Sequence, residues 1–411
     1  MEKFVPHNFV VSSVIAPASK SVAQRYLLAS ALSNQSIKLI NIGFSDDVLH
    51  IQSIVKQLGA IINNNQNITT VMPRQNPIET ELNCGESGLG IRLVTPIVST
   101  FGKNFIINGK GSLLHRPLTQ FESFLPNMGV NVSFKNSQLP FTLSGQLHGG
   151  NYTVDGSLSS QYISGLLMAL PLCNTDSVLN VKNPTSTPYI DITLKVLNTF
   201  GIQIQHQNYK TYHIKGNQQY MPQQNSIQIE GDWSGAAFWV VYGLIKGKIT
   251  ISNLKSNSTQ ADKTILEVIK LVGSDFKWDK NENLIIIKKE LKPFTFDATN
   301  CPDLFPILVV LAASINGIST IKGVFRLKHK ESNRGLVLQN EFKKLGLKID
   351  IKGDVMTIFG TGQLKSACIE SNNDHRIAMS AAIASLLTPN GISILQAECV
   401  NKSYPEFWDV L

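Results

Sequence analysis

Basic side chains stand at the starts of apolar segments that have the pattern of helices. Lys20 and Arg25 open one such segment. Arg92 follows the glycine-rich loop of a second, and Arg376 opens a third. A cation at this place opposes the helix dipole, whose positive end is the N-terminus. Bound anions explain the placement better than helix stability does, so the sequence predicts sites for small anionic molecules.

The polar loops ahead of other predicted helices carry further cations. They are Arg116 in "LLHRPL", Arg326, Lys328, Lys330 and Arg334 in "RLKHKESNR", and Lys402 in "NKSYPEF". In "RPL" and "YPEF" we expect proline at the first helical position. The Ser and Asp residues of "SSQ" and "GDWSG" are preferred at helix N-caps. Either motif on its own is therefore better explained by capping than by ligand binding.

The stretch "CGESGLGIR", Cys84 to Arg92, places a glutamate in a loop typical of anion binding. A nucleophile elbow is excluded because Leu89 follows Ser87 by two residues, where glycine is required. A dinucleotide fingerprint fails on spacing. We expect Glu86 at the N-cap of the next helix, turned from the ligand. The alternative is that Glu86 repels the anion, in which case Glu86→Asn would tighten binding.

Six copies of one repeat fill the chain. Each has a polar or glycine turn, an apolar helix, a β-branched strand, a polar loop and a second helix that ends at glycine. The copies start at Ser19, Glu86, Ser159, Asp232, Cys301 and Asn373, which are 67, 73, 73, 69 and 72 residues apart. The closing glycines are Gly59, Gly129, Gly201, Gly273 and Gly346. Both landmarks share one period, and glycine suits the left-handed residue after a helix.

The repeats are predicted to form two α/β domains of three repeats each. Residues 15–228 would hold repeats 1–3, and 229–411, completed by 1–14, would hold repeats 4–6. The sixth repeat stops before the strands that follow the second helix elsewhere. We expect the N-terminal strand segment to complete it. Two chain crossings would link the domains, which suits a hinge.

Composition excludes several other classes. Hydrophobic residues make up 43% and charged residues 16%, as in a folded protein. Neither a secretory signal nor a membrane span is apparent, so we expect a cytoplasmic protein. Five scattered cysteines predict neither disulfides nor a zinc site. The net charge of +8 is spread along the chain without the basic runs of nucleic-acid binding, so small anions are the expected partners.

Eight motifs resemble the EPSP synthase family of 3-phosphoshikimate 1-carboxyvinyltransferases. In family order they are "KSVAQR", "HRPL", "SSQ", "STPYIDIT", "PDLFP", "KESNR", "NDHRIAM" and "NKSYPEF". The resemblance implies two domains, each of three βαβαββ repeats in an inside-out barrel-like arrangement, with the active site in the cleft between them. It implies transfer of the enolpyruvyl group of phosphoenolpyruvate to the 5-hydroxyl of shikimate 3-phosphate, releasing phosphate, on the route to chorismate. We expect no cofactor, no metal and a monomer.

The same resemblance assigns site residues by motif. Those that would hold shikimate 3-phosphate are Ser21, Arg25, Ser159, Ser160, Gln161, Ser186, Tyr189, Asp303 and Lys330. Those that would hold phosphoenolpyruvate are Lys20, Gly88, Arg116, Gln161, Arg334, Arg376 and Lys402. Clustered cations and helix N-termini can bind the phosphates and carboxylates of both substrates without a metal.

Addition followed by elimination needs a base for the 5-hydroxyl and an acid for the enol methylene. Asp303 resembles the family's base and Glu331 its acid, with Lys20 a candidate to share proton transfer. Nearby cations favour the ionised form of both carboxylates, so burial or bound anions must keep Glu331 usable as an acid. His375 is either a structural or phosphate-contacting residue, or a catalytic one.

The chain departs from the family pattern at a few positions. The family usually reads N-A/S-G-T-x-x-R where this chain has Glu86 and Leu89. In the loop "RLKHKESNR", Asn333 stands where aspartate is common and Lys328 where arginine is usual. Arg326 stands where some members place asparagine against the shikimate phosphate.

Two other functions compete with this interpretation. Enolpyruvyl transferases that act on UDP-N-acetylglucosamine typically carry a cysteine before the "RP" arginine, but "NGKGSLLHRP" has none. They also favour "KN" where this chain has "KS". A non-catalytic anion-binding scaffold is disfavoured because Asp303 and Glu331 are both present.

Overall fold

The computed structural model describes residues 1–73, 77–136 and 138–411. These residues form two compact units. The first-half unit is Ala18–Ile229, and the second-half unit is Glu230–Leu411 together with Met1–Pro17.

Strands and helices alternate along the described residues. The strands are β1 (Glu2–Val5), β2 (Ser13–Ile15), β3 (Ile37–Ile40), β4 (Ile61–Asn65), β5 (Ile68–Met72), β6 (Glu81–Asn83), β7 (Phe105–Asn108), β8 (Val130–Lys135), β9 (Gln138–Gly145), β10 (Asn151–Asp155), β11 (Ser177–Lys182), β12 (Ile204–Gln207), β13 (Thr211–Ile214), β14 (Ser226–Gln228), β15 (Lys248–Ser252), β16 (Asp275–Trp278), β17 (Leu284–Ile287), β18 (Thr295–Asp297), β19 (Gly317–Lys322), β20 (Lys348–Lys352), β21 (Val355–Gly360), β22 (Cys368–Glu370) and β23 (Ile392–Leu395). The α-helices are α1 (Lys20–Leu32), α2 (Asp46–Gln57), α3 (Gly88–Ser99), α4 (Gln120–Phe124), α5 (Ser160–Ala169), α6 (Thr187–Thr199), α7 (Trp233–Lys246), α8 (Ile265–Leu271), α9 (Phe305–Ala313), α10 (Arg334–Lys344) and α11 (His375–Ala384).

The second, third and fifth repeats each build one sheet by the same connections. In the sheet β6-β7-β9-β8, β6 pairs parallel with β7 across the crossover helix α3. The hairpin of β8 and β9 then returns antiparallel to β7. A parallel pair requires such a crossover, whereas a hairpin needs only a turn. The sheets β10-β11-β13-β12 and β18-β19-β21-β20 have the same order, so the βαβαββ repeat that the family resemblance implies is confirmed.

The leading strands of the first and fourth repeats are exchanged. The strand β14 precedes α7 in the chain but pairs parallel with β3. Conversely, β2 precedes α1 but pairs parallel with β15. The strand β1 lies antiparallel to β23 and completes the three-stranded sheet of the sixth repeat, as its unfinished sequence predicted. The N-terminal stretch therefore contributes to two sheets of the second-half unit.

The first helix of each repeat lies in the core. Every residue of α9 is buried, as is every residue of α3 except Leu89. Helices that are apolar all round must be buried in this way. The helix α3 packs against α1 and α5, and α7, α9 and α11 pack on one another. The five closing glycines have φ between 76° and 100°, which confirms their place after the second helices.

The composition bears on three features of the described residues, namely membrane-spanning helices, disulfides and metal sites. No helix among them is long and apolar enough to cross a membrane. All five cysteines are free thiols, and four of them are buried. Within the same residues, no three His, Cys, Asp or Glu side chains form a group that could hold a metal ion.

A glycine sets the distance between α3 and α5. Pro96 lacks the N–H that would bond the Arg92 carbonyl one turn earlier in α3. A Cβ placed at Gly165 of α5 would lie 2.1 Å from that carbonyl oxygen and 3.1 Å from Pro96 Cγ. Only glycine therefore permits the approach of these two helices.

We expect Gly165→Ala to lower the free energy of unfolding by ~1–3 kcal/mol, because the added methyl group overpacks the contact between α3 and α5. In an open helix the same change would raise stability by up to about 1 kcal/mol. Urea unfolding measures the sign directly. A more stable variant would contradict the close approach.

Candidate active site

Arg25 is buried on α1 and connects this helix to α6. Its Nε donates to Thr193 Oγ1 at 2.8 Å, Nη1 to Ser21 O at 2.7 Å and Nη2 to Tyr189 O at 3.2 Å. These acceptors are neutral. Burial lowers the Arg25 pKa to about 10, so the guanidinium remains charged at neutral pH. The first-half unit therefore holds a buried positive charge among neutral oxygens, an arrangement that favours an anionic ligand.

The starts of α5 and α6 carry the predicted serines. Ser159 caps α5, since its Oγ accepts the N–H of Gln161 at 3.3 Å, and Ser160 is buried beside it. Ser186 precedes α6 with φ 52° and ψ 44° and is 3% exposed. Holding a serine in this left-handed backbone conformation costs ~1–3 kcal/mol of folding free energy, and residues with such strain are concentrated at functional sites.

Arg92 joins three parts of the first-half unit. Its Nη1 donates to Gly88 O at 2.9 Å and to Gln161 Oε1 at 3.0 Å, and its Nη2 donates to Pro117 O at 3.1 Å. A Cβ placed at Gly88 would lie 2.2 Å from Arg116 Nη1. Glycine at this position thus lets the Arg116 guanidinium lie against the start of α3.

The prediction that Pro117 occupies the first position of a helix is wrong. The helix α4 begins only at Gln120. The Pro117 carbonyl instead accepts hydrogen bonds from Arg92 and from Tyr162 Oη, the latter at 2.9 Å. Pro405 does open a helix, the 3₁₀ helix Pro405–Asp409, as predicted.

The expected capping role of Glu86 is also wrong. The N-cap of α3 is Ser87, whose Oγ accepts the N–H of Gly90 at 3.0 Å. The serine hydroxyl reaches the first turn, whereas the Glu86 carboxylate bonds the N–H of Ser112 at 2.8 Å. The carboxylate therefore serves the neighbouring loop and not the helix that follows it.

Lys20 has an acidic partner that sequence reasoning missed. Its Nζ lies 2.8 Å from Asp47 Oδ2. Lys20 opens α1 and Asp47 lies in the first turn of α2. The acidic pair Asp46 and Asp47 is typical of a helix start. Nothing in the sequence indicates that Asp47 pairs with Lys20 at the start of another helix.

In the second-half unit, a fully buried arginine binds three carboxylates. Arg334 Nε donates to Asp374 Oδ2 at 2.8 Å, Nη1 donates to Asp303 Oδ1 at 2.7 Å, and Nη2 donates to Glu331 Oε2. Burial opposes the charge of Arg334, but the three carboxylates outweigh it and hold the pKa well above its ordinary value.

Asp303 lies among three cations. Besides Arg334, its carboxylate contacts Lys330 Nζ at 3.2 Å and Arg376 Nη2 at 3.1 Å. Burial disfavours the ionised carboxylate, but these positive charges outweigh burial and hold the Asp303 pKa well below its ordinary value. Burial in turn lowers the pKa of Lys330. These contacts therefore favour the ionised form of Asp303.

Asp262 is a second acidic residue that sequence reasoning missed. It is buried in the 3₁₀ helix Ala261–Thr264 and accepts a hydrogen bond from Ser234 Oγ. Burial, together with the charge of Asp303, raises the Asp262 pKa to about 7. A single aspartate in a polar loop gave no signal of this burial.

The start of α11 brings together the remaining predicted residues. Asp374 caps the helix by accepting the N–H of Arg376 at 3.0 Å, and His375 is buried at the first helical position. Lys402 is 6% exposed, and its Nζ donates to Asn373 O at 2.7 Å.

This fold is the one that enolpyruvyl transferases have. The chain superposes on an EPSP synthase from Acinetobacter baumannii with a TM-score of 0.82 and 25% identity, covering 100% of this chain and 97% of that one. It also shares its fold with the enolpyruvyl transferase NikO from Streptomyces tendae, at a TM-score of 0.77 and 15% identity over 100% and 96% of the two chains.

Sequence comparison is more specific. The model of the family EPSP synthase (3-phosphoshikimate 1-carboxyvinyltransferase) matches residues 6–411. Relatives named 3-phosphoshikimate 1-carboxyvinyltransferase are 36% identical in Clostridium acetobutylicum, over 96% of this chain and 93% of the relative, and 37% identical in Clostridium botulinum, over 96% and 92%. The chain belongs to the EPSP synthase family.

We expect Asp374→Asn to lower the free energy of unfolding by about 3 kcal/mol, because it removes one charge of a buried ion pair. Asparagine still caps α11, so the loss reports the contact with Arg334. Chemical denaturation measures it. The control Asp350→Asn removes an exposed partner of Lys348 and should cost less than about 1 kcal/mol. Equal effects of the two changes would contradict the buried network.

Proposed function

We propose that the chain catalyses its family's reaction with two groups of residues, one in each unit. The enolpyruvyl group of phosphoenolpyruvate passes to the 5-hydroxyl of shikimate 3-phosphate, and phosphate is released. The observation that carries this proposal is the shared guanidinium of Arg334, which binds both Asp303 and Glu331. We further propose that the two units are the domains 15–228 and 229–411 with 1–14, and that both act on the same pair of substrates.

Shikimate 3-phosphate is assigned to the starts of three helices and to the Asp303 loop. The residues proposed to hold it are Ser21, Arg25, Ser159, Ser160, Gln161, Ser186, Tyr189, Asp303 and Lys330. The neutral surroundings of Arg25 support this assignment. The Arg25 guanidinium donates to a hydroxyl and to backbone carbonyls, so a phosphate that binds it does not compete with a carboxylate.

Phosphoenolpyruvate is assigned to a group of residues that contains more arginines and lysines than the group for shikimate 3-phosphate. The residues proposed to hold it are Lys20, Gly88, Arg116, Gln161, Arg334, Arg376 and Lys402, with His375 beside them. Guanidinium groups match carboxylate and phosphate oxygens in bidentate geometry, which supports this division.

Asp303 is proposed as the base and Glu331 as the acid. Asp303 and Glu331 both contact the Arg334 guanidinium, so they share one cation. A phosphoenolpyruvate anion that binds Arg334 and Arg376 shares those cations and weakens their hold on the carboxylates. Asp303 then becomes a stronger base and Glu331 more readily carries a proton, as the two steps require. Lys20, which pairs with Asp47, is proposed to share proton transfer.

The assembly and location are proposed from the sequence alone. We propose a monomer in the cytoplasm that acts on small anions and not on nucleic acid. Light scattering of the purified chain measures its mass.

With phosphoenolpyruvate and shikimate 3-phosphate, we expect the purified chain to release phosphate, since the cations of both units suit two anionic substrates. UDP-N-acetylglucosamine as acceptor should give no release above background. A phosphate assay with each acceptor measures this. Phosphate release only with UDP-N-acetylglucosamine would favour enolpyruvyl transfer to that nucleotide sugar. Release with neither acceptor would favour a non-catalytic scaffold.

Asp303→Asn and Glu331→Gln should each lower kcat by about 10²–10⁴-fold, because each removes one proton-transfer group. Both variants should remain folded, as circular dichroism would show. Asp350→Asn, an exposed carboxylate on β20, serves as the matched control and should leave kcat unchanged. Rates equal to the parent in either test variant would remove that residue's assigned role.

A further inference from the structure

The loop that carries Arg116 is docked on the glycine loop that precedes α3. The Cys84 N–H donates to Asn108 O at 2.9 Å, and the Lys110 N–H donates to Gly85 O at 2.8 Å. These two bonds fix the backbone where the loop begins. They leave the part between Lys110 and Arg116 to be positioned by other contacts.

Glu86 makes the next contact along this loop. Its Oε2 accepts the N–H of Ser112 at 2.8 Å. Ser112 is the second residue of the 3₁₀ helix Gly111–His115, whose first N–H groups need partners outside the helix. A Cβ placed at Gly111, where φ is +54°, would lie 2.3 Å from Glu86 Cδ. The carboxylate therefore packs directly on the turn that starts this helix.

Arg116 follows the same 3₁₀ helix. Its N–H donates to Leu113 O at 3.2 Å, which ties its backbone to the helix. Its Nη1 lies 2.2 Å from the position of a Cβ at Gly88. Any shift of the 3₁₀ helix would consequently displace the guanidinium along the start of α3.

We infer that Glu86 is a positioning residue that sets the place of Arg116. Its carboxylate holds the 3₁₀ helix Gly111–His115, and this helix holds the arginine against Gly88. The inference rests on the proposed function, in which Arg116 binds phosphoenolpyruvate. A negative charge in an anion-binding loop is thereby explained, because it accepts a backbone hydrogen bond that orients a cation.

Steady-state kinetics of Glu86→Ala and Glu86→Gln on the full chain test this role. Alanine removes the acceptor, whereas glutamine keeps an oxygen for the Ser112 N–H and loses only the charge. We expect Glu86→Ala to raise KM for phosphoenolpyruvate about tenfold and leave KM for shikimate 3-phosphate within about twofold. Glu86→Gln should restore KM for phosphoenolpyruvate to within about threefold of the parent.

Two further variants sharpen the comparison. Glu81→Ala removes an exposed glutamate of β6, five residues earlier, and should change neither KM. Gly111→Ala displaces the Glu86 carboxylate and should also raise KM for phosphoenolpyruvate. Because both changes break the same contact, the double variant Glu86→Ala/Gly111→Ala should raise KM for phosphoenolpyruvate by less than the product of the two separate fold-changes.

Three results would overturn the inference. A lower KM for phosphoenolpyruvate in both Glu86 variants would mean that the charge repels the substrate. Equal changes in both KM values, with a lower Tm, would mean a merely structural role. An unchanged KM for phosphoenolpyruvate in Glu86→Ala would also exclude a positioning role for Glu86. Arg116→Ala separates the causes: if it raises KM for phosphoenolpyruvate, the proposed function stands without Glu86, and if it does not, the assignment of Arg116 is wrong as well.

Discussion

The burial of positive charge near the ends of helices is the constraint on which the rest of the structure depends. Arg25, Arg92, Arg334, Arg376 and Lys402 are each at most 6% exposed. A buried charge without partners costs several kcal/mol, so each cation must be surrounded by acceptors. The two units meet this requirement differently. Neutral oxygens surround the first two arginines, whereas carboxylates surround Arg334 and Arg376. In the proposed function, substrate anions bind the first two arginines without displacing a carboxylate, whereas they compete with carboxylates for Arg334 and Arg376.

The repeated fold explains why the cations are found where they are. Each βαβαββ repeat buries an apolar helix and brings its N-terminus to the end of a parallel strand, where irregular loops can carry polar side chains. Small residues then set the distances between these parts. Gly165 admits the Arg92 carbonyl, and Gly88 admits the Arg116 guanidinium. Glycines thus set both the packing of neighbouring helices and the position of the charges.

Much of the fold could be predicted from the sequence because the repeat imposes two regular landmarks, the polar helix start and the closing glycine. The unfinished sixth repeat likewise predicted the pairing of β1 with β23. The exchange of β2 and β14 could not be foreseen, because three-residue strands carry no signal of their partners. At the site, motifs marked the cations, but the partners of these cations depend on tertiary packing. The pairing of Lys20 with Asp47 and the burial of Asp262 are examples. Glu86 was misplaced because its carboxylate bonds a loop more than twenty residues away in the chain.

The most direct measurement is a crystal structure of the full chain with shikimate 3-phosphate bound. The proposed function predicts that the ligand contacts Ser159, Ser160 and Gln161 at the start of α5, with its 5-hydroxyl within hydrogen-bonding distance of the Asp303 carboxylate. A ligand bound away from the start of α5, or a 5-hydroxyl out of reach of Asp303, would contradict it.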